Sequence, residues 1–124
     1  MYNAKPLIAS ALTGDAQLVA MVPAAHMFDG IAVFNESPEY PYITMEELGN
    51  NEEMHADDTE IESSVIFRVH IWHRSSVSAI AGHVNRIMRS IGFGRNYALD
   101  QDERLDTGEI IKHKIMSFSG TFAA

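Results

Sequence analysis

Cysteine is absent from the 124-residue sequence. The absence excludes disulfide bonds, thiolate zinc sites and thiol catalysis. Long apolar runs are also missing, since none approaches the roughly 20 residues of a membrane-spanning helix. The N-terminal stretch MYNAKPLIASAL has one lysine and a proline, which is not typical of a secretory signal. We therefore expect no membrane partner.

Basic residues are scarce. The sequence has 9 Lys and Arg against 17 Asp and Glu, for a formal net charge of −8. Binding to a phosphate backbone needs clustered Lys and Arg, so the charge disfavours a nucleic-acid-binding protein, although DNA could pass nearby without being held. A hydrophobic content of 46% and the chain length predict one folded domain over residues 1–124.

The N-terminal region predicts helix. Pro6 suits the first turn of a helix, where its missing N–H costs nothing. Gly14 interrupts the apolar periodicity, and Thr13 and Asp15 are both good N-caps for a second apolar turn that ends at Pro23. The pattern predicts two short helices, or one kinked helix, over roughly 4–22.

Four further segments favour extended structure. Residues 31–34 (IAVF) and 42–45 (YITM) are rich in β-branched and aromatic side chains. Strand-like runs also cover roughly 96–104 and 110–118, and residues 106–109 (DTGE) between them predict a hairpin turn. Mixed polarity in the last run suggests an edge position or a subunit contact on both faces.

Residues 63–76 (SSVIFRVHIWHRSS) alternate with a period of two, which predicts a strand with one face on a core. Its predicted inward face carries Val65, Phe67, Val69 and Ile71. His70 and His73 then point to opposite faces and cannot share a metal ion. An apolar stripe from 77 to 91 predicts a long amphipathic helix that begins after Ser75-Ser76 and ends at Gly92.

The polar face of this strand is a candidate interface. Trp72 lies there among arginines, and this composition is typical of interface centres. Packing of Trp72 beneath another element of the same chain is an equally acceptable interpretation. The candidate interface residues are Arg68, His70, Trp72 and Arg74.

Residues 46–62 (EELGNNEEMHADDTEIE) hold eight acids and no Lys or Arg. We expect a flexible loop, either solvated or facing a partner or a channel; the spacing lacks the oxygen register of a calcium loop. The acids are Glu46, Glu47, Glu52, Glu53, Asp57, Asp58, Glu60 and Glu62. A small metal-dependent hydrolase that uses His55, Asp57, Asp58 and another histidine is a less favoured alternative.

The order of these segments predicts an α+β domain. We expect a mostly antiparallel sheet of about four to five strands, packed on one face by an N-terminal helix pair and the long amphipathic helix. No nucleophile–base pair, metal-ligand cluster or phosphate loop is recognisable, so we expect no catalytic, metal-binding or cofactor-binding residues.

The segments ALTGDAQLVAMV, GIAVF, PYITM, FRVHIWHRSS and VSAIAGHVNRIM follow one another in an order that resembles the tail-completion family of long-tailed bacteriophages, also called tail terminators. The likeness covers nearly the whole chain and rests on order and spacing.

The resemblance implies a structural virion protein without enzymatic activity. Members form a ring, commonly hexameric, at the head-proximal end of the tail tube. The ring stops tube growth and joins the tail to the head. The implied partners are further copies of the chain, the tail-tube protein and the head–tail connector, with DNA passing through unbound and assembly in the host cytoplasm. A head-completion or tail-tube protein of the same virion is the main alternative.

Overall fold

The computed structural model describes residues 1–30, 39–56 and 59–123, except for the side chains of 53–56 and 59–61. The predicted extended segment 31–34 lies outside the described residues. The helices are α1 (Lys5–Thr13), α2 (Ala16–Val19) and α3 (Ser78–Ser90), with a short 3-10 turn at Ala24–His26. The strands are β1 (Met27–Asp29), β2 (Tyr42–Ala56), β3 (Thr59–His73), β4 (Gly94–Asp100), β5 (Glu103–Arg104) and β6 (Ile110–Ala123).

Within the described residues, these strands form one six-stranded sheet in the order β1-β2-β3-β6-β4, with β5 paired to β6. β1 runs parallel to β2 and the other pairings are antiparallel. The sheet is therefore mixed and has one strand more than the predicted four to five. Residues 30–41 separate β1 from β2, which is about the dozen residues that a parallel connection requires.

The acidic segment 46–62 differs from its prediction as a loop. β2 continues to Ala56 and β3 begins at Thr59, so most of the segment belongs to a long β-hairpin. Paired backbones satisfy each other's hydrogen bonds, and this pairing outweighs the weak strand preference of the acidic residues. The turn-forming Gly49 lies beside a register shift in the ladder and so marks a bulge.

The helical predictions near the N-terminus are confirmed. Pro6 is in the first turn of α1, and the Asp15 carboxylate caps α2 by accepting a hydrogen bond from the Leu18 backbone N–H at 3.0 Å. Arg86 on α3 reaches the same carboxylate at 2.9 Å. The hydrogen bond from Arg86 lowers the pKa of Asp15 to about 2. α2 is a single turn, so the N-terminal helices are an unequal pair.

The buried core joins the helices to one face of the sheet. The predicted inward residues of β3 are fully buried, and Met116 and Phe118 continue this face on β6. α3 buries five side chains, Ile80, Ala81, Val84, Ile87 and Met88. The helix ends at Ser90, and the turn that follows it contains Gly92, whose φ of 98° suits glycine. One contiguous cluster thus unites α1, α2 and α3 with β2, β3 and β6.

β6 is an interior strand with β3 on one side and β4 and β5 on the other, so the predicted edge position is wrong. Polar and apolar residues are mixed in β6 because side chains are buried on both faces of the strand. Met116 and Phe118 enter the core, whereas His113 and Ile115 are buried on the opposite face of the sheet.

The predicted turn before β6 is confirmed by Gly108, with a φ of 87°, and by the pairing of β5 with β6.

Candidate interface on the outer sheet face

The sheet face opposite the core cluster, here called the outer face, is a regular grid. Residues directly opposite one another in antiparallel strands point to the same side, so each ladder row can be read across β2, β3 and β6. The first row is Tyr42, Trp72 and His113; the second is Thr44, His70 and Ile115; the third is Glu46, Arg68 and Ser117. Leu99 and Tyr97 on β4 extend the second and third rows.

The first row is a stack of flat rings. Trp72 lies between Tyr42 and His113, with ring centroids 4.8 Å and 4.2 Å away and interplanar angles of 18° and 12°. Tyr40 continues the stack beyond Tyr42 at 5.5 Å. Burial in this stack raises the pKa of Tyr42 to about 12. Trp72 is thus half-buried within its own chain, and its place in an interface stays a prediction.

A hydrogen-bonded chain of polar groups crosses the grid beside the stack. The Glu46 carboxylate accepts hydrogen bonds from Arg68 Nε and His70 Nε2, each at 2.8 Å. The other nitrogen of His70, Nδ1, lies 2.8 Å from His113 Nε2. The hydrogen bond from His70 holds the pKa of Glu46 below its usual range.

This geometry assigns the protons on neutral imidazoles. Because His70 Nε2 donates to Glu46, His70 Nδ1 must accept, and His113 Nε2 must be its donor. His113 Nδ1 is then an acceptor, and it is buried without a hydrogen-bond partner among the described residues. Burial, together with the neighbouring His70, lowers the pKa of His113.

The structure brings together three of the four predicted interface residues, Arg68, His70 and Trp72. Arg74 lies just beyond the end of β3, where it pairs with Glu109 at 3.1 Å and stands 5.3 Å from the centroid of the Tyr40 ring. Three central members of the site were missed by sequence reasoning: Tyr42, Glu46 and His113. For His113, the sequence did contain a signal: it alternates with Ile111 and Ile115 along β6, so the three side chains lie on the same face of the strand.

The eight acidic residues of segment 46–62 do not lie together on one charged loop. Glu46 belongs to the hydrogen-bonded grid. Glu47 and Glu52 are exposed on β2, and Glu62 is half-buried on β3. The side chains of Glu53, Asp57, Asp58 and Glu60 lie outside the described residues, and so does the alternative metal-ligand set of His55, Asp57 and Asp58.

Among the side chains that the structure describes, no group of three or more His, Asp and Glu is arranged to hold a metal ion. Within residues 1–30, 39–56 and 59–123, no helix is both long and apolar enough to cross a membrane.

Comparison with known proteins gives a similarity of fold. No protein-family model matches the chain, and no curated protein matches it in sequence. A solved structure described as "Virion of native gene transfer agent (GTA) particle" contains a similar chain, with a TM-score of 0.54 and 13% sequence identity. The similarity covers 94% of this chain and 92% of that one. At this identity the finding shows a shared fold.

Proposed function

We propose that the protein is a non-enzymatic structural component of a phage-like virion. The observation that carries the proposal is the fold shared over 94% of this chain with a chain of a gene transfer agent virion. The likeness spans nearly all of both chains, so it concerns the whole domain and not a common supersecondary unit. The order of sequence segments that resembles the tail-completion family supports the same class independently.

Within that class, the proposed role is tail completion. Six copies of the chain form a closed ring at the head-proximal end of the tail tube. The ring ends tube growth and offers a docking surface to the head–tail connector. Its partners are therefore other copies of itself, the tail-tube protein and the connector, in a virion assembled in the host cytoplasm.

The outer face is the proposed contact with a neighbouring subunit or a virion partner. In its first row, the aromatic rings of Tyr42 and Trp72 are only partly buried within the described part of the chain. Tyr97 and Leu99 on β4 extend the same face and are 40% and 43% exposed. Half-covered aromatic and apolar side chains beside buried polar groups resemble the centre of a protein interface.

The acidic segment 46–62 of the β2–β3 hairpin, here called the acidic hairpin, is proposed to face the ring lumen or an axial surface. A DNA duplex carries about one negative charge per ~1.7 Å of its axis, so like charge on the wall would let DNA pass without being held. Reversal of Glu52, Glu53 and Glu60 to lysine should make rings bind duplex DNA while the monomer stays folded. An electron-microscopic reconstruction with both hairpin strands pointing radially outward would refute this placement.

Negative-stain microscopy of the purified protein tests the role itself. Single rings of uniform diameter support tail completion. Long cylinders would instead indicate a tail-tube protein, a second candidate because the similar chain's description names the entire virion and no particular part. Monodisperse monomers at all concentrations would contradict self-assembly into a ring.

A further inference from the structure

Within the described residues, the sheet ends at β1 on one side and at β4 on the other. β1 has three residues, and a very short edge strand is a common protection against pairing with another chain. β4 has seven residues, Gly94–Asp100, and contains neither proline nor lysine. No described strand pairs with the side of β4 that faces away from β6. β4 therefore leaves a strand edge open to a further strand.

The hydrogen-bond phase of β4 shows which of its backbone groups face the open side. The Gln101 N–H, one residue beyond β4, donates to the His113 carbonyl oxygen of β6 at 2.8 Å. Hydrogen-bonded and non-hydrogen-bonded pairs alternate along an antiparallel ladder, so Leu99 directs its N–H and C=O groups to β6. The N–H and C=O groups of Ala98 and Asp100 are then directed to the open side.

The side chains of β4 are divided between the two faces of the sheet. Tyr97 and Leu99 point to the outer face, where they are 40% and 43% exposed. Arg95, Ala98 and Asp100 point to the face that the helices cover, here called the helix side, because their partners on β6 belong to that face. All seven residues of β4 are exposed, so the described helices leave this edge accessible.

The charged residues of β4 lie near its two ends and have opposite signs. Arg95 forms no ion pair with the side chains that the structure describes, and it lines a surface notch of about 330 Å³ with Arg89. Asp100 pairs with Lys114 at 3.1 Å, but its side chain is still 62% exposed. The edge thus carries an unpaired positive charge at its start and an accessible negative charge at its end.

β4 is symmetric about Ala98 when it is counted in ladder positions. The ladder with β6 shifts between Arg95 and Tyr97, because one extra residue between them forms a bulge. Arg95 and Asp100 are therefore equally far from Ala98 on either side. Tyr97 and Leu99 are its immediate neighbours in the ladder. An antiparallel copy of the same strand, centred on Ala98, would match opposite charges and apolar side chains at once.

We propose that two copies of the chain pair through β4 in antiparallel orientation, about a two-fold axis at Ala98. Each Arg95 then lies opposite Asp100 of the second copy on the helix side. Each Tyr97 lies opposite Leu99 of the second copy, so the outer face continues across both chains. The open N–H and C=O groups gain partners in the added strand, and the facing side chains stabilise the pairing.

A second copy suits this edge because the charge pattern of β4 is complementary to itself. A parallel copy in register would instead place Arg95 beside Arg95. A two-fold contact uses the same surface on both subunits, so it joins two copies and stops, whereas a ring requires two different surfaces. The inference therefore goes beyond the proposed function and describes the free chain before it enters a ring.

Proline at position 98 tests the backbone contact in the full-length chain. The Ala98 N–H faces the open edge, so Ala98→Pro removes a hydrogen bond of the dimer and none of the ladder with β6. In sedimentation equilibrium, Ala98→Pro should raise the dimer dissociation constant by about 100-fold, because both copies lose the bond. Ala98→Val keeps the N–H and is the matched control, with wild-type association. Wild-type association of Ala98→Pro would overturn the inference.

Charge reversal tests the register and does not depend on the proline variant. Arg95→Glu should raise the dissociation constant by about tenfold, since carboxylates then face each other at both ends of the contact. Asp100→Lys should do the same with two basic groups. An equimolar mixture of the two folded variants should recover dimers, because every facing pair again has opposite charges. Lys5→Glu, an exposed reversal beside β1, is the matched control. Absence of recovery in the mixture would overturn the register.

Hydrogen exchange followed by NMR locates the contact. The amides of Ala98 and Asp100 should exchange at least about tenfold more slowly in concentrated than in dilute protein, whereas the Leu99 amide is protected in both. Unchanged exchange at Ala98 and Asp100 in a dimer would overturn the proposed contact. Protection that appears only when a different protein is added to a monomeric chain would assign the edge to that protein's strand and overturn it as well.

The results also separate this contact from the proposed ring. Dimers that dissociate in Ala98→Pro, from a chain that never forms rings, support the β4 contact and reject the ring. Rings that assemble from a chain with no dimeric form at any concentration support the ring and reject the β4 contact.

Discussion

The imidazole of His113 lies face to face with the indole of Trp72, with ring centroids 4.2 Å apart and planes inclined by 12°. The two residues are 41 positions apart in the chain, and the β3–β6 ladder places them directly opposite each other. The same imidazole is hydrogen-bonded to His70. The aromatic stack and the hydrogen-bonded polar chain of the outer face therefore share His113. A substitution that moves the His113 ring alters the contacts of both.

Replacement of Trp72 tests the outer face as an interface. Trp72→Ala should cost the monomer about 1–3 kcal/mol, because it removes ring contacts with Tyr42 and His113 at a half-buried position. Assembly should decrease more than this loss explains when both are measured by urea denaturation and sedimentation. Trp72→Phe keeps a flat ring and should restore most of both. If Trp72→Ala assembles normally once folded, Trp72 is only a structural residue.

Stability should fall on mild acidification because of His113. Its pKa is lowered in the folded state by burial and by His70, so the unfolded chain takes up a proton near pH 6.5 while the folded chain resists it. The free energy of unfolding should therefore decrease as pH falls below about 6.5, the ordinary histidine pKa. Glu46 adds a further loss at lower pH, because its pKa is also lowered.

His113→Gln removes this titration and should flatten the stability profile between about pH 7 and pH 5.5. His83→Gln on α3, the helix that packs on the core cluster, is the matched control and should keep the wild-type slope. Urea denaturation at a series of pH values measures both variants. Equal slopes in wild type and His113→Gln would contradict the assignment.

A methyl group at Gly120 should destabilise the fold. A Cβ there would lie 2.8 Å from the Gly92 carbonyl oxygen and 2.8 Å from the Phe122 ring, and the carbonyl belongs to a tight turn that cannot easily move. Gly120→Ala should cost about 1–3 kcal/mol. Gly82→Ala within α3 meets nothing within 4 Å and should instead add about 0.5–1 kcal/mol. Thermal denaturation should show opposite shifts for the two variants.

Metal removal should have no effect. His70 and His73 point to opposite faces of β3, and the His70 nitrogens are engaged with Glu46 and His113. Dialysis against a chelator should leave the melting temperature and the assembly state unchanged. Destabilisation that is reversed by zinc or manganese would show that a metal site exists.

Local periodicity determined several parts of the fold. The alternation of Val65, Phe67, Val69 and Ile71 predicted the buried face of β3, and the apolar stripe of α3 predicted the helix that covers the core. Of the two candidate N-caps, Thr13 and Asp15, it is Asp15 that begins α2, and Gly108 belongs to a correctly predicted hairpin turn. Such features depend on neighbours within a few positions, which the sequence displays directly.

Only the tertiary structure decided how the outer face is assembled. The acidic composition of 46–62 predicted a loop, but pairing with β3 makes residues up to Ala56 a strand and brings Glu46 beside Arg68 and His70. Likewise, nothing local to His113 shows that it meets Trp72 across the ladder. Strand register depends on hydrogen bonds between segments far apart in the chain, so composition and periodicity indicate which residues face the same way but not which of them meet.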